Sequence, residues 1–155
     1  MKKILIISDT HGDMDLFVKL ISLEKPDYTI HAGDFCIPVT YLSRYVDYFV
    51  AGNNDSEGEH MKLFEIEEVK FFLTHGDKYF FNKNKNICKD AKLYGANIAI
   101  TGHTHVEEIV EMDDITLINP GSLIKPRNYK KIKTYCLLFI DKDQIVSKEI
   151  KEFSI

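Results

Sequence analysis

Short apolar runs, each ending at a polar or charged residue, recur through the first two thirds of this chain. Runs of this length that are apolar throughout predict strands buried on both faces, and segments with apolar residues at helical spacing lie between them. This alternation of strand and helix patterns predicts an α/β fold. The runs occupy residues 3–8, 28–32, 47–52, 69–74 and 96–101.

The last third of the chain has a different pattern, in which strand-like segments follow one another directly. Residues 106–122 have the pattern of two strands joined at 112–114, and residues 134–153 that of a hairpin turning at 141–144. We therefore predict two β-sheets with helices on the outside, in a single domain that covers residues 1–155. The predicted helices occupy residues 13–27, 39–46 and 85–95.

Each of the five runs is followed by side chains of the kinds that bind metal ions. In open α/β sheets, ligand sites form beyond the carboxyl ends of the strands, so these side chains are predicted to meet at one edge. Asp9/His11 and His103/His105 are pairs two residues apart, a spacing that directs both side chains to one side of an extended backbone. The ligand-type residues are Asp9, His11, Asp34, Asn53, Asp55, His75, Asp77, His103 and His105.

The chemistry of this set indicates divalent metal ions. Imidazole nitrogens and carboxylate oxygens suit manganese, iron, zinc, nickel or cobalt, and the groups outnumber the needs of one four-coordinate ion. Two ions that share a carboxylate account for the set better, and paired ions are a usual means of cleaving phosphate esters. A lone histidine is more often structural, and a lone Gly-Asp is more often a turn. The recurrence at five strand ends favours metal binding.

In order and spacing, these motifs resemble those of the calcineurin-like metallophosphoesterases, which are D-x-H, G-D, G-N-H-[DE], a lone histidine and G-H-x-H. The short chain and the NPGS sequence at 119–122 resemble the small single-domain phosphodiesterase branch of that family. The resemblance implies two packed mixed β-sheets flanked by helices, a four-layer α-β-β-α sandwich. The matching segments are DTH at 9–11, GD at 33–34, GNND at 52–55, THG at 74–76 and GHTH at 102–105.

The resemblance also implies a role for each matching residue. A hydroxide between two ions would attack the phosphorus atom in line with the leaving oxygen. The cofactors expected are two divalent metal ions, manganese before nickel, iron, zinc or cobalt. One ion would be held by Asp9, His11 and His105, the other by Asn53, His75 and His103, and Asp34 would bridge them.

The residue after Asn53 departs from the family pattern. Many members have a histidine there that is thought to protonate the leaving alkoxide, whereas this chain has Asn54. An amide is not a useful acid near neutral pH, and a general acid is typically worth about 10²–10⁴-fold. Asn54 thus occupies the catalytic-acid position, and we predict weaker action on esters with poor leaving groups. Water and His60 are the remaining proton sources, and His60 is expected to be an exposed loop residue.

Charge and composition limit the partners. The formal net charge of −4 argues against a general nucleic-acid binder, and no apolar run reaches the roughly 20 residues of a membrane span. Three cysteines without C-x-x-C spacing favour reduced thiols and a cytoplasmic location. We expect a small-molecule phosphodiester substrate and no membrane partner. A homodimer and binding of a nucleic-acid end stay open.

A lysine-rich segment, residues 78–92, follows His75 and contains Phe80 and Phe81. A basic flank of this kind attracts an anionic substrate or a nucleic-acid end. We favour the alternative, a solvated helix face with two core phenylalanines. The acidic run between residues 57 and 68 is predicted to be a solvated loop and edge.

Three functions fit these patterns to different degrees. We favour a dinuclear metal-dependent phosphodiesterase. The alternative of a non-catalytic metal-binding scaffold for protein partners, the use that a eukaryotic retromer subunit makes of this fold, gives no evident reason for seven ligand-type groups. A phosphomonoesterase is less favoured because of Asn54 and because the short chain has no cap domain for a large substrate.

Overall fold

The computed structural model describes residues 1–154, which contain ten β-strands and three α-helices. The predicted single domain ends at Ile155, outside the described residues, and one domain stays a prediction. The elements are β1 (Lys2–Ile7), α1 (Met14–Glu24), β2 (Tyr28–His31), α2 (Val39–Leu42), β3 (Tyr48–Phe49), β4 (Met61–Ile66), β5 (Val69–Thr74), α3 (Lys83–Leu93), β6 (Ile98–Ile100), β7 (Glu108–Met112), β8 (Ile115–Asn119), β9 (Thr134–Asp141) and β10 (Gln144–Glu152).

The strands form two five-stranded sheets, each with parallel strands at its centre. In the first sheet the order is β10-β9-β1-β2-β3, with β1, β2 and β3 parallel and the other two strands antiparallel to their neighbours. In the second sheet the order is β4-β5-β6-β8-β7, with β5, β6 and β8 parallel. β4 and β7 pair antiparallel at its edges. The prediction of two mixed sheets is therefore confirmed.

The strands of the last third do not form a sheet of their own. β8 pairs with β6 in the second sheet, whereas β9 pairs with β1 in the first. Both predicted hairpins are present, but a local pattern carries no information on which sheet a hairpin joins. Long-range pairing decides that, as between Ile6 and Cys136.

Three apolar layers hold the sheets and helices together. Successive residues of a strand point to opposite faces, so Ile4 and Ile6 enter the layer between the sheets while Ile7 faces α1. Phe17 of α1 packs on that outer face, and Ile87 of α3 packs on the outer face of the second sheet. The layers follow the order helix, sheet, sheet, helix, which explains why the central strands are apolar throughout.

The ends of the helices and of β3 differ somewhat from their predicted positions. Asp13 caps α1 by accepting the Leu16 N–H (3.4 Å), and Lys25 ends the helix in a left-handed conformation. The helix predicted at 39–46 covers only Val39–Leu42, and the strand predicted at 47–52 only Tyr48–Phe49. Among residues 1–154, no helix combines the length and apolar character needed to cross a membrane.

Two segments add detail to their predictions or differ from them. The acidic stretch 57–68, predicted as a solvated loop and edge, consists of an exposed loop and the edge strand β4, in which Phe64 and Ile66 pack on the layer between the sheets while Glu65 is exposed. Charges on an edge strand obscure its apolar alternation and discourage pairing with other molecules. Phe80 and Phe81, predicted to lie in the core, are each 83% exposed. They stand in the connection between β5 and α3 and face solvent.

Tyr135 in β9 joins the first sheet to the end of α1. Its hydroxyl donates to the Glu24 carboxylate (2.5 Å), which also pairs with Lys3 Nζ (3.1 Å). Burial by itself raises the pKa of Glu24, but the hydrogen bonds from Tyr135 and Lys3 lower it below its usual 4.5. We expect Tyr135→Phe to lower the free energy of unfolding by about 1.5–3 kcal/mol at pH 7, as for a hydrogen bond to a charged group. Urea unfolding measures this difference.

The effect of Tyr135→Phe is expected to depend on pH. Because the folded-state pKa of Glu24 is depressed, its ionised form stabilises the fold fully above the unfolded value of 4.5 and less as the pH falls through the folded value. The gap between wild type and variant should narrow below about pH 4. Tyr129→Phe, at a side chain that is 98% exposed, is the control. A gap that stays constant down to about pH 3 contradicts the pairing.

Candidate metal centre

Loops that follow the parallel strands of both sheets meet at one edge of the molecule. The Asp9 N–H donates to the Gly33 carbonyl (3.0 Å), and the His11 N–H donates to the Asp34 carbonyl (2.9 Å). These bonds join the loops after β1 and β2. The His103 N–H donates to the Asp9 carboxylate (3.1 Å), which ties the loop after β6 of the second sheet to the first sheet. Strand ends from both sheets therefore lie at one rim.

Four ligand-type side chains at this rim form one tight group. Asp9, His11, Asp34 and His105 each place one ligand atom within 4.8 Å of the others. His105 Nε2 lies 3.2 Å from Asp9 Oδ1 and 3.4 Å from His11 Nε2. Oxygen and nitrogen atoms at these separations can contact one small cation.

Asn53, His75 and His103 form a second group beside the first. Asn53 Oδ1 lies 3.1 Å from both His75 Nε2 and His103 Nδ1. Asp34 stands between the groups, because its Oδ2 lies 3.4 Å from His75 Nε2 and 3.9 Å from His11 Nε2. The seven residues named by the sequence motifs are thus brought together, in two groups with one carboxylate between them.

A left-handed backbone conformation directs most of these side chains into the cluster. The prediction that an extended backbone directs the pairs Asp9/His11 and His103/His105 to one side is wrong, because β1 ends at Ile7 and β6 at Ile100, before these residues. Each non-glycine residue in this conformation costs about 1–2 kcal/mol, and such strain is typical of functional sites. Positive φ occurs at Asp9 (54°), His11 (44°), Asp34 (58°), His103 (71°) and His105 (61°).

Backbone carbonyls fix the orientation of two histidines in the cluster. His75 Nδ1–H donates to the Ala32 carbonyl (2.7 Å), and His105 Nδ1–H donates to the Lys125 carbonyl (2.6 Å). A carbonyl oxygen only accepts, so in each imidazole Nδ1 carries a proton and Nε2 faces the cluster. Outer hydrogen bonds of this kind support histidines that bind metals through Nε2.

The electrostatics of the cluster keep both carboxylates ionised. Burial by itself raises the pKa of Asp34, but the neighbouring His75 imidazole and the hydrogen bonds from Asn54 lower it far below its usual range. Burial also opposes ionisation of Asp9, yet the neighbouring His105 and His75 imidazoles lower its pKa. The pKa of His75 is raised in turn, because Asp34 and Asp9 outweigh its burial. Ionised carboxylates are the form that binds divalent cations.

One oxygen of Asp9 tests whether metal ions suit this cluster. Among the buried side-chain polar atoms of residues 1–154, Asp9 Oδ1 alone has no hydrogen-bond partner. A buried polar atom without a partner is costly, and a cation at the cluster would compensate this oxygen. The mixture of oxygen and imidazole nitrogen also matches divalent first-row metals. The residues present therefore fit divalent metal ions.

Comparison with known proteins agrees with this geometry. A family model described as a calcineurin-like phosphoesterase superfamily domain matches residues 1–143. The chain belongs to the calcineurin-like phosphoesterase superfamily. A "Probable metallophosphoesterase" of Mycoplasma pneumoniae is 39% identical over 149 residues, 94% of each chain. A phosphodiesterase of Methanocaldococcus jannaschii is 29% identical over 144 residues, 77% of this chain and 82% of that protein. The family inferred from the motifs is confirmed.

Solved structures share the four-layer fold. A Streptococcus pneumoniae protein described as a predicted phosphoesterase superposes with a TM-score of 0.82 at 23% identity, covering 98% of both chains. Vps29 of Entamoeba histolytica, crystallised with zinc, superposes with a TM-score of 0.76 at 19% identity, covering 97% of this chain and 98% of that one. At these identities the likeness concerns the fold alone, and the predicted fold is confirmed.

In this superfamily member, the last residue of the GNND motif holds two loops of the metal centre together. Asp55 Oδ2 accepts the N–H groups of Asp34 and Gly52 (both 2.7 Å) and, at 3.4 Å, that of Phe35. Its Oδ1 accepts the Cys36 N–H (2.8 Å). The sequence left open whether Asp55 is a turn residue or orients Asn54. The structure shows that it fixes the backbone that carries Asp34, which no local pattern reveals.

We expect Asp55→Ala to weaken metal binding by about 10–100-fold, because support residues of metal ligands typically contribute that much. The four N–H groups would lose their common acceptor, and the Asp34 carboxylate its fixed position. Calorimetric titration of the metal-free protein with Mn²⁺ measures the affinity. Glu57→Ala, an exposed carboxylate of the same loop, is the matched control and should bind like wild type. Equal affinities for Asp55→Ala and Glu57→Ala contradict the positioning role.

Asn54 contacts Asp34 directly. Its main-chain N–H donates to Asp34 Oδ1 and its Nδ2 donates to Asp34 Oδ2, both at 2.9 Å. Asn54 thus contacts both oxygens of that carboxylate, one through its main chain and one through its side chain, and the residue is exposed to solvent. Many family members have a proton donor at this position. In this chain the position carries an amide, which donates hydrogen bonds but has no useful acidity. His60, the other residue considered as an acid, is exposed in the loop before β4.

The loop at 119–122 supports the metal centre from the second sheet. Asn119 Nδ2 donates to the Gly102 carbonyl (3.1 Å) and to Thr104 Oγ1 (3.0 Å), on either side of His103. Ser122 Oγ donates to the Asp9 carbonyl (2.9 Å). The loop therefore packs beside the ligand-type residues as well as closing the end of β8.

His31 at the end of β2 is buried and stays neutral. The Gly33 N–H donates to its Nδ1 (3.0 Å), which leaves Nε2–H to donate to Thr10 Oγ1 (2.9 Å). Burial lowers the pKa of His31 to about 4. Thr10 lies between Asp9 and His11, so His31 supports the loop that carries these two residues. This is a structural role, as expected for a histidine buried in a strand.

Proposed function

We propose that this chain is a phosphodiesterase that uses two divalent metal ions to hydrolyse a phosphodiester to a monoester and an alcohol. The observation that carries the proposal is the convergence of seven ligand-type side chains in two groups that share Asp34. The Methanocaldococcus jannaschii relative is named a phosphodiesterase, which supports the same reaction class. Membership of the superfamily supports a metal-dependent hydrolase.

The two groups of side chains define the proposed ion sites. Manganese is the proposed metal, and nickel, iron, zinc or cobalt suit the same ligands because these metals share a preference for imidazole and carboxylate. Asp34 is proposed to bridge, since its Oδ2 faces a histidine of each group. The first ion is assigned to Asp9, His11 and His105, and the second to Asn53, His75 and His103.

Metal ions bound there would supply a water nucleophile of lowered pKa and positive charge for the phosphoryl oxygens. The chain contributes the geometry. Asp9 and Asp34 enter the reaction ionised, His75 and His105 present Nε2 because carbonyls hold Nδ1, and Asn54 holds Asp34.

Asn54 also predicts which esters are cleaved well. No acid stands at the position of the usual proton donor, so the alcohol must leave without the roughly 10²–10⁴-fold help of a general acid. Diesters with good leaving groups are therefore the proposed substrates in an assay. A phosphomonoesterase is less well supported, and a scaffold role gives no reason for the strained backbone at five ligand-type residues.

Hydrolysis of bis(p-nitrophenyl) phosphate and p-nitrophenyl phosphate tests the proposal. The protein is stripped of metal and refilled separately with Mn²⁺, Ni²⁺, Zn²⁺ and Mg²⁺, and bound metal is counted by elemental analysis. We expect two ions per chain, diester cleavage that depends on added metal, and a lower rate on the monoester. A higher rate on the monoester would make the protein a phosphatase. Folded protein that binds no metal would overturn the proposal and favour a protein-binding scaffold with a vestigial site.

A further inference from the structure

The connection between β5 and α3 leaves the metal centre directly after His75. We name residues 77–83, the last part of this connection together with the first residue of α3, the rim segment. It carries the two exposed phenylalanines, Phe80 and Phe81, one after the other. Large apolar side chains that stand together in water at the edge of a polar site mark a binding surface. The rim segment therefore presents exposed apolar side chains on the stretch of chain that leaves the metal centre after His75 and returns beside Gly76 at Lys83.

Hydrogen bonds anchor the rim segment at both ends. The Tyr79 N–H donates to the Gly76 carbonyl (3.2 Å), and the Tyr79 hydroxyl donates to Asp90 of α3 (2.6 Å). Asn86 Nδ2 donates to the Phe81 carbonyl (2.8 Å). The two phenylalanines therefore project from a backbone held in one shape. A ligand that contacts them does not first have to order the loop, which favours binding.

Lys83 brings a positive charge from the same segment to the metal centre. Its Cε and Nζ lie 3.1 and 3.3 Å from where a Cβ on Gly76 would stand, one residue after His75. The side chain is half-buried. The charges of Asp77 and Asp9 act on Lys83, but neither carboxylate forms an ion pair with its Nζ, so this ammonium is free to contact an anion beside Gly76.

We infer that the rim segment recognises a nucleoside phosphodiester, with Lys83 at a phosphoryl oxygen and Phe80 or Phe81 stacked on the base. The inference rests on the proposed phosphodiesterase function and adds its substrate class. Aromatic side chains stack on any base, and an ammonium forms a charge-assisted hydrogen bond to phosphate. One residue, Asn82, separates Lys83 from Phe81, so their Cα atoms lie within about 7 Å, a distance that one nucleotide bridges.

The charge of the protein favours a single nucleotide over a long strand. The net charge is −4, and the positive charge of the rim segment is local, with Lys78 and Lys83 inside it and Lys85 directly after it. A long strand needs a continuous basic track because its backbone phosphates dominate affinity. The same base and phosphate occur in a small nucleotide diester and at the end of a nucleic acid, and the experiment separates these two sources.

Two diesters with the same leaving group test the inference: thymidine 5′-(p-nitrophenyl phosphate) and methyl p-nitrophenyl phosphate. The readout is the ratio of their kcat/KM values on the Mn²⁺-loaded full chain. We expect a clear preference for the thymidine diester in wild type. In the double variant Phe80→Ala/Phe81→Ala that ratio should fall by about 5- to 150-fold, the usual effect of removing stacking on one base. Tyr129→Ala removes an equally exposed ring elsewhere and should keep the ratio.

Lys83→Met tests the phosphate contact. It should lower kcat/KM for both diesters by about 10- to 150-fold and leave their ratio near the wild-type value, because both diesters carry the phosphate. Lys89→Met, an exposed lysine of the same helix, should match wild type on both. A fall confined to the thymidine diester would overturn the assignment of Lys83 to the phosphoryl oxygen.

A binding measurement separates this inference from the proposed reaction. Calorimetry compares thymidine 5′-monophosphate with deoxyribose 5-phosphate, and the nucleotide should bind at least about 5-fold more tightly in wild type but not in Phe80→Ala/Phe81→Ala. Absence of turnover with retained nucleotide preference would reject the diesterase proposal and keep nucleoside recognition. Turnover of both diesters with no preference, and equal binding of both phosphates, would overturn nucleoside recognition alone.

Competition by a single-stranded oligothymidylate identifies the source of the nucleoside. Stronger competition than by thymidine 5′-monophosphate assigns the segment to the end of a nucleic acid, and weaker competition assigns it to a small nucleotide. Either result supports recognition of a base beside a phosphate. Competition by neither compound would overturn it.

Discussion

Asp34→Ala is expected to lower metal-dependent hydrolysis of bis(p-nitrophenyl) phosphate by at least about 10³-fold. Charge stabilisation by metal ions contributes several kcal/mol to a transition state, and each 1.36 kcal/mol is a factor of ten in rate. Asp34 Oδ2 faces His11 at 3.9 Å and His75 at 3.4 Å, so its loss affects both groups of ligands. Steady-state kinetics at fixed Mn²⁺, with bound metal counted by elemental analysis, measure the effect.

Loss of fold must be separated from loss of metal in this experiment. Asp34→Asn keeps the shape of the side chain but removes the charge, and it should lose most of the bound metal while retaining its thermal unfolding transition. Asp143→Ala, an exposed carboxylate in the turn between β9 and β10, is the matched control and should equal wild type. Full activity and two bound ions in folded Asp34→Asn would show that Asp34 does not bridge.

Gly52→Ala is expected to disrupt the metal centre without changing any ligand. A Cβ on Gly52 would stand 2.1 Å from Asp34 Oδ1 and 2.5 Å from the Asp34 main-chain nitrogen. No side chain fits at that distance, so the loop that carries Asp34 must move. We expect a loss of about 1–3 kcal/mol in the free energy of unfolding, as for other overpacked sites. We also expect a loss of Mn²⁺ affinity of about 10–100-fold, because a displaced support has that effect.

A second glycine provides the control for Gly52→Ala. Gly95 ends α3 with φ +78° and has no atom within 4 Å of an added Cβ. Gly95→Ala should destabilise the fold by about 1–2 kcal/mol through its left-handed backbone alone. Its Mn²⁺ affinity should equal that of wild type, whereas Gly52→Ala should lose affinity at comparable stability. The structural explanation fails if the two variants bind Mn²⁺ equally well, as measured by calorimetric titration.

The sequence predicted most of this fold because its central strands are buried on both faces. Burial on both faces makes a run apolar throughout, as in β1 and β5, and such runs are visible without any alignment. The acidic segment was predicted only as a solvated loop and edge, without the bounds of β4. One face and the outer side of that strand meet solvent, which permits charges such as Glu65. The two C-terminal hairpins were found, but their distribution over both sheets was not, because pairing over more than one hundred residues leaves no local pattern.

The residues brought to the metal centre were likewise predicted from motifs, while the means of aiming them was not. In an α/β sheet, a binding site forms at the ends of the strands, and the type of each side chain there limits which ions it can bind. The left-handed conformation of Asp9 and His103 depends on contacts between loops, which sequence spacing does not encode. The same applies to Asp55, whose four N–H partners come from two loops.

The sequence by itself determined the family, the strand ends and the set of ligand-type residues, because each of these depends on residue type and order along the chain. Only the tertiary structure decided that Asp34 stands between two groups of ligand-type side chains, that Asn54 holds Asp34, and that Phe80 and Phe81 face solvent. The physical reason is that exposure and close contact depend on which surfaces pack together. The sequence around an apolar loop residue does not show whether that residue is buried in the core or exposed to solvent.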